Sequence, residues 1–125
     1  MTGWTHYRGL ATGADLTGKR YHIVKLDSSG NVVLATAATD AILGVLDNEP
    51  KLGAVADVVL INGQGTFRAK AANSTISKDA YITTNGSGQA VATTTAGNRV
   101  IGRAVRDFAA NEIGEYIKSN ERYAA

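Results

Sequence analysis

The sequence predicts an all-β protein made of two copies of one β unit, and three observations support this prediction. Fourteen glycines, a single proline and many alanines, threonines and valines give a composition rich in turns and small strand residues. Short apolar segments alternate with polar turns, as in antiparallel sheets. The stretch from Ser29 to Gly44 has a counterpart from Ser87 to Gly102, at a constant offset of 58 residues.

The repeat divides the chain into segments. Gly30 aligns with Gly88 and Gly44 with Gly102, without a gap between them. Residues that match at the same offset elsewhere are Ala14 with Ala72, Thr17 with Thr75, Val55 with Ile113, Asp57 with Glu115 and Asn62 with Asn120. The predicted segments of this single domain are an N-terminal arm (1–13), a first β unit (14–62), a connecting hairpin (63–71), a second β unit (72–120) and a tail (121–125).

Strands and turns of the first unit follow from apolar alternation and turn chemistry. Asp27–Asn31 is a hairpin turn, and Pro50 excludes a helix or a central strand at 47–53. The strands predicted in this half of the chain are 21–26, 32–34, 41–46, 55–61 and 66–70.

The second unit repeats this pattern but contains one conflict. The strands predicted here are 80–84, 89–92, 100–106 and 115–118, with a glycine-rich hairpin turn at Asn85–Gly88. Apolar residues at 99–110 also have the spacing of an amphipathic helix. The repeat favours a strand at 100–106, because Pro50 interrupts the matching segment and Gly102 weakens a helix.

Composition and charge narrow the class of protein. The 125 residues are enough for one domain with one core, and the absence of cysteine excludes disulfides and thiolate sites. Met1–Trp4 has no apolar run, so we expect neither a signal peptide nor a membrane span, and synthesis in the cytoplasm. The net charge of +2 comes from charges spread along the chain, so nucleic acid is not the expected partner.

Motifs for catalysis or metal binding are incomplete. Gly13–Lys19 has the glycine and lysine spacing of a phosphate-binding P-loop, but Arg20 replaces the hydroxyl residue that would hold magnesium. A strand instead of a helix should follow, so we interpret the segment as a turn. His6 and His22 are the only imidazoles, and a zinc site would need carboxylates from distant segments. The sequence therefore predicts no enzyme activity, cofactor or metal site.

Two further groups have simple interpretations. Asp57 and Glu115 occupy equivalent repeat positions and could form a carboxylate pair, but solvent-facing strand residues explain them better. Arg99, Arg103 and Arg106 form a basic cluster without the interleaved aromatic residues that nucleic-acid surfaces use. The predicted arm differs, because it concentrates large side chains suited to protein contacts: Trp4, His6, Tyr7 and Arg8.

Several short motifs keep a fixed order across residues 12–118. They are Ile42–Val45, Gly53–Val59 with the turn Asn62–Gly63, Ser77–Asp79, Gly86–Val91, and Val100–Ala104 followed by Gly114–Ile117. In this order they resemble the small capsid decoration, or cement, proteins of tailed bacteriophages, of the β-tulip or β-barrel type. Two departures concern turns: Ser77 replaces the usual glycine before Asp79, and Asn111–Gly114 is shifted relative to Lys51–Gly53.

The resemblance implies a β-barrel or β-tulip fold and a structural, non-enzymatic role in the virion. Such a protein assembles, commonly as a trimer, on the outer capsid surface and stabilises the head. Its partners would be the major capsid protein and other copies of itself. Trp4, His6, Tyr7 and Arg8 would then make capsid or inter-subunit contacts.

Two alternatives remain open from the sequence. A β-barrel that binds nucleic acid would use Lys19, Arg20, Lys25 and the 99–106 cluster on one face. A trimeric domain of another virion component, such as a tail fibre, would share the same architecture and differ in its partner.

Overall fold

A computed structural model describes residues 6–62 and 65–122, with side chains to residue 119. Its strands are β1 (His6–Ala11), β2 (Ile23–Leu26), β3 (Val32–Leu34), β4 (Ile42–Leu46), β5 (Val55–Leu60), β6 (Thr66–Lys70), β7 (Tyr81–Thr84), β8 (Ala90–Ala92), β9 (Arg99–Ala104) and β10 (Ile113–Arg122). No helix occurs among the described residues, so none of them forms a helix that could cross a membrane. The predicted all-β class is confirmed.

The strands form two antiparallel sheets of five strands each. Their orders are β1-β5-β4-β2-β3 and β6-β10-β9-β7-β8, so the second sheet repeats the first strand by strand. Over the described residues, continuous strand pairing does not close either sheet into a barrel, but single parallel bridges link the two edges of each sheet, Thr12 with Val32 and Ala71 with Ala90. The two β units of the sequence therefore correspond to two sheets of identical topology.

The edge strands β1 and β6 differ in how well they were predicted. Residues 6–11 were expected in an arm, but they form β1 and pair with β5. The strand predicted at 66–70 is confirmed as β6, which pairs with the distant β10 and does not form a local hairpin. Strand β10 also continues to Arg122, beyond the strand expected at 115–118. Both edge pairings join segments far apart in the chain, which local sequence patterns do not reveal.

Backbone hydrogen bonds repeat between the units at the offset of 58 residues. Leu46 N–H donates to the His22 carbonyl at 2.9 Å, and Ala104 N–H donates to the Ala80 carbonyl at 3.0 Å. Further matched donor and acceptor pairs are Asp47 to Asp57 with Val105 to Glu115, Ala35 to Ile23 with Thr93 to Tyr81, and Asp27 to Asn31 with Asn85 to Gln89. The duplication thus extends to the detailed path of the backbone.

Upstream of Tyr21 the ungapped register expected from the sequence is wrong. Tyr21 and Asp79 are equivalent, with φ angles of 69° and 68°. Leu16 N–H donates to Pro50 as Ile76 N–H donates to Phe108, which makes Leu16 the counterpart of Ile76 and shifts the offset from 58 to 60 residues. The first unit therefore has two additional residues between Leu16 and Tyr21, and Thr17 does not match Thr75.

The second unit resembles the first at two positions, the strand β9 and the turn before β10. The strand predicted at 100–106 is confirmed as β9. Asn111 has a φ of 66° and Gly53 a φ of 82°, so the turn before β10 is not shifted relative to the first unit. Asparagine tolerates this left-handed conformation better than most residues, which explains the substitution.

A shared core joins the two sheets. Its buried residues come from both units: Ile23, Ala35, Ile42, Val45 and Ile61 from the first, and Ala69, Ala71, Ile76, Ile82, Ala90, Ile101, Ala104, Phe108 and Tyr116 from the second. A smaller cluster lies within the first unit and contains Leu16, Val24, Val32, Leu46, Ala56 and Val58. The shared core fixes the first sheet against the second and leaves β1 at an edge of the first sheet.

Candidate interaction surface around strand β1

Strand β1 presents the candidate residues that lie within the described part of the chain. Tyr7 is 45% exposed, the Arg8 side chain is 66% exposed and that of His6 is 34% exposed. The strand is bulged between Tyr7 and Leu10, where its pairing with β5 shifts. Bulges of this kind redirect side chains at sheet edges. Trp4, the remaining candidate, lies outside the described residues.

Ion pairs connect β1 to Asp57 of the neighbouring strand β5 and to Asp47, which directly follows β4. His6 Nδ1–H donates to Asp57 Oδ1 at 2.9 Å and lies 3.8 Å from Asp47 Oδ2. Arg8 Nε lies 3.2 Å from Asp57 Oδ2, and Arg20 donates to Asp47 Oδ1 from Nε at 3.1 Å and from Nη2 at 2.9 Å. The two carboxylates, about one-sixth exposed at 16% and 17%, thus balance up to three cationic side chains.

The turn between β4 and β5 places both carboxylates. Asp47 N–H donates to the Asp57 carbonyl at 2.7 Å, which holds the two residues side by side where β4 ends. Asn48 completes the turn, because its Oδ1 accepts from Asp57 N–H at 3.0 Å and its Nδ2 donates to Val55 O at 3.1 Å. Asp47 is not identifiable from local sequence patterns, because only the pairing of β1 with β5 brings His6 to it.

The same carboxylates and His6 have donor types that can bind a metal. His6, Asp47 and Asp57 each offer one ligand atom, and these atoms lie within 4.8 Å of one another. Arg8 contacts Asp57 Oδ2 and Arg20 contacts Asp47 Oδ1, so a guanidinium group already compensates the charge of each carboxylate. We therefore interpret the group as an ion-pair network that fixes β1 on its sheet.

The second unit has a reduced version of this network. Thr66 donates to Glu115 Oε2 at 2.9 Å, which corresponds to His6 and Asp57 in the first unit. Glu115 also lies 3.6 Å from Arg106, and the counterpart of Asp47 is the apolar Val105. Asp57 and Glu115 therefore each have partners within their own sheet.

Basic residues that could serve a nucleic-acid surface mostly pair with carboxylates. The pairs are Arg20 with Asp47 at 2.9 Å, Lys25 with Asp40 at 3.1 Å, Arg103 with Asp79 at 3.5 Å and Arg106 with Glu115 at 3.6 Å. Compensated charges of this kind contribute less to phosphate binding than free ones. This arrangement gives no specific support to the nucleic-acid alternative.

The segment with P-loop spacing forms turns. Gly18 N–H donates to the Glu49 carboxylate at 3.0 Å, so an acidic side chain occupies a donor that a phosphate would need. His22, which follows the segment, is buried, and burial lowers the pKa of its imidazole. Its Nδ1–H donates to the Arg20 carbonyl at 3.3 Å. Neither feature forms a ligand site.

Exposed large apolar side chains form the other notable surface feature. Among the described residues they are Tyr7, Leu26, Leu52, Val55, Ile113 and Ile117, with exposures between 39% and 67%. Large exposed apolar groups close together are typical of interaction surfaces.

A scan against models of protein families and a search of curated proteins both found no match to this chain.

Proposed function

We propose that this chain is a structural protein of a phage virion that binds the outer surface of the capsid, as a trimer at three-fold positions, and stabilises the shell. The observation that carries the proposal is the edge strand β1, where exposed Tyr7 and Arg8 lie beside an open sheet edge. An open edge can accept a strand from a neighbouring protein through backbone hydrogen bonds.

The ion-pair network suits this role because it holds β1 in place. Asp57 binds His6 and Arg8, which limits the conformational freedom that binding would otherwise remove. Tyr7 remains exposed and can act as an aromatic anchor in a partner's pocket. Many weak contacts of this kind become tight when three copies bind together.

The test is binding to undecorated, expanded phage heads. We expect saturable co-sedimentation, added density at three-fold positions by cryo-electron microscopy, and greater resistance of the heads to heat. Absence of binding to every head type tested, by a protein shown to be folded, would contradict the proposal.

A matched pair of variants tests the contribution of β1. Arg8→Glu reverses an exposed charge on β1, and Arg68→Glu does the same on β6, its counterpart strand. We expect Arg8→Glu to weaken head binding at least tenfold and Arg68→Glu to leave it within about twofold, since rim charges act chiefly through local complementarity. Equal effects would mean that β1 is not the capsid-binding surface.

A further inference from the structure

Within the chain, the second unit packs on the first through a hairpin and an aromatic ring. Ile23 N–H donates to the Gly88 carbonyl at 2.6 Å, and a Cβ built on Gly88 would lie 3.2 Å from Leu34. Phe67 of β6 packs on Tyr21 with ring centroids 5.6 Å apart. The second unit thus contributes the hairpin turn 85–88 and Phe67, and the first unit contributes the receiving surface.

In this contact only the second unit inserts its hairpin turn into the other unit. The corresponding turn of the first unit is open, since a Cβ built on Gly30 meets no described atom within 4 Å, whereas Gly88 is buried. The receiving residue Leu34 is half-buried, whereas its counterpart Ala92 in the second unit is exposed; Thr36 and its counterpart Thr94 are both exposed. Within the chain, the inserting turn of the first unit and the receiving surface of the second unit are therefore both left without a partner of this kind.

On the inserting side, side chains of the first unit are more exposed than their counterparts. Leu26 is 44% exposed, whereas Thr84 at the same position of the second unit is 2% exposed. Tyr7 pairs with Val58 as Phe67 pairs with Tyr116, so Tyr7 is the counterpart of Phe67. Phe67 packs against the shared core, and Tyr7 is 45% exposed.

The receiving side shows the opposite difference. In the first sheet, Ile23, Val45 and Val59 form a row across neighbouring strands and are at most 2% exposed. At the counterparts of Val45 and Val59, the Arg103 side chain is 45% exposed and Ile117 is 39% exposed. The second unit therefore presents a partly apolar surface where the first unit is covered.

Charge differs in a complementary way between these surfaces. Inside the chain, the inserting turn begins with neutral Asn85 and the receiving row contains Val45. The unused turn begins instead with Asp27, and the unused row contains Arg103, which lies 3.5 Å from the exposed Asp79 of its own unit. Opposite charges on two surfaces favour their association with each other.

We propose that a second copy of this chain completes the contact. The 26–30 hairpin and Tyr7 of one copy pack on Ala92, Thr94 and Ile117 of the next copy, in the arrangement that the two units already have within the chain. Because the two surfaces differ, the interface is heterologous, and the proposal places the copies in a closed ring, in agreement with the proposed trimer. Contacts within and between chains would then alternate around the ring.

This inference deepens the trimer in the proposed function, but its test requires no capsid. The chain contains no cysteine, so any disulfide must form between cysteines that are introduced by mutation. A Cβ built on Gly86 lies 3.6 Å from the Thr36 carbonyl, and the counterparts of these residues are Ser28 and Thr94. Ser28→Cys/Thr94→Cys should therefore form disulfides between copies, and Gly86→Cys/Thr36→Cys should form one within a chain.

The expected result on non-reducing gels is distinct for the two variants. The Ser28/Thr94 pair should give covalent species up to the size of the ring, which reducing agent converts to single chains. The Gly86/Thr36 pair should remain a single chain of altered mobility, and each single-cysteine variant should give no species larger than a dimer.

Point variants provide a second measurement, by light scattering after size exclusion. Leu26→Asp should convert the oligomer to single chains, and Leu52→Asp, another exposed leucine outside the proposed contact, should leave its mass unchanged. A wild-type protein that is monomeric, or an oligomer in which Ser28→Cys/Thr94→Cys does not cross-link, would overturn the proposal. Cross-linking without head binding would support this contact and refute only the decoration role.

Discussion

Gly44 in the first unit and Gly102 in the second are equivalent, and each lies against a backbone carbonyl of the neighbouring strand. Asp47 and Val105 are also equivalent positions, but one side chain is charged and the other is apolar. A Cβ on either glycine would collide with a carbonyl of the neighbouring strand, that of Val59 or Ile117. The backbone of the unit therefore restricts these positions in both copies. The surface imposes no such restriction, so Asp47 and Val105 differ.

Differences between the units therefore locate surfaces with distinct roles. The first unit has a full ion-pair network around β1, and the second has only Thr66 and Arg106 around Glu115. The first unit exposes Leu26, where the second buries Thr84. Residues required by the shared backbone should be equally sensitive in both units, and residues of the surfaces should not be.

The largest effect is expected at the paired glycines. Gly44→Ala and Gly102→Ala should each lower the free energy of unfolding by more than about 3 kcal/mol, because the added methyl meets a backbone carbonyl that cannot move away. Chemical denaturation followed by circular dichroism measures this change. Gly86→Ala is the control, since its Cβ would make only an ordinary contact, and should cost less than about 0.5 kcal/mol. Tolerance of alanine in one unit alone would show that the two backbones are not equivalent.

A smaller and unequal effect is expected at the matched aromatics. Phe67→Ala should lower the free energy of unfolding by about 2 kcal/mol, because its half-buried ring packs on Tyr21 and the shared core. Tyr7→Ala should cost less than about 1 kcal/mol in the single chain, since nearly half of the side chain is exposed. Denaturation at low protein concentration separates this effect from self-association. Equal costs for both variants would contradict the packing difference.

The matched carboxylates should differ less. Asp57→Asn removes a charge that binds His6 and Arg8 in a mostly buried position, and should cost about 1 kcal/mol. Glu115→Gln keeps an acceptor for Thr66 and loses only a solvent-exposed contact with Arg106, so its cost should be below about 0.5 kcal/mol. Added salt should reduce the difference between the two variants. A larger cost for Glu115→Gln would reverse our ranking of the two networks.

The smallest effect concerns pH and occurs only in the first unit, since His22 has Ala80 as its counterpart. Burial lowers the pKa of His22, so the unfolded chain binds the proton more readily than the folded one. Its contribution to stability is present at neutral pH and is lost as the pH falls below about 6.5. In His22→Asn, the decline in melting temperature between about pH 7 and about pH 5 should be shallower than in the wild type. Identical slopes of melting temperature against pH would show that protonation of His22 does not contribute to the loss of stability in acid.

Local sequence patterns predicted the strands of both units but not the sheets that they form. Apolar alternation and the turns at Asp27–Asn31 and Asn85–Gly88 predicted the hairpins, because adjacent strands joined by a short turn require only local information. The repeat correctly favoured a strand at β9 over a helix. Strand β6 was predicted at 66–70, but β1 was missed, and the pairings of β1 with β5 and of β6 with β10 were not predicted because these segments are distant in the chain.

The candidate surface was predicted only in part. His6, Tyr7 and Arg8 were identified by their type and by their position outside the repeat. Asp47 was not, because it reaches His6 only through the pairing of β1 with β5. The ungapped register also failed before Tyr21, because the first unit has two additional residues in the turn there. The fold tolerates them, since the equivalent hydrogen bonds on either side of the turn are kept.

The sequence by itself determined the β class, the duplication and the positions of most turns, because these depend on local alternation, glycine and repeated spacing. Only the tertiary structure decided the order of the strands in each sheet, the edge position of β1, and that only the second unit inserts its turn into the other unit. These features depend on which distant segments pair and on which face each unit buries. Two units with the same strand order can therefore present different surfaces, one already covered within the chain and one exposed.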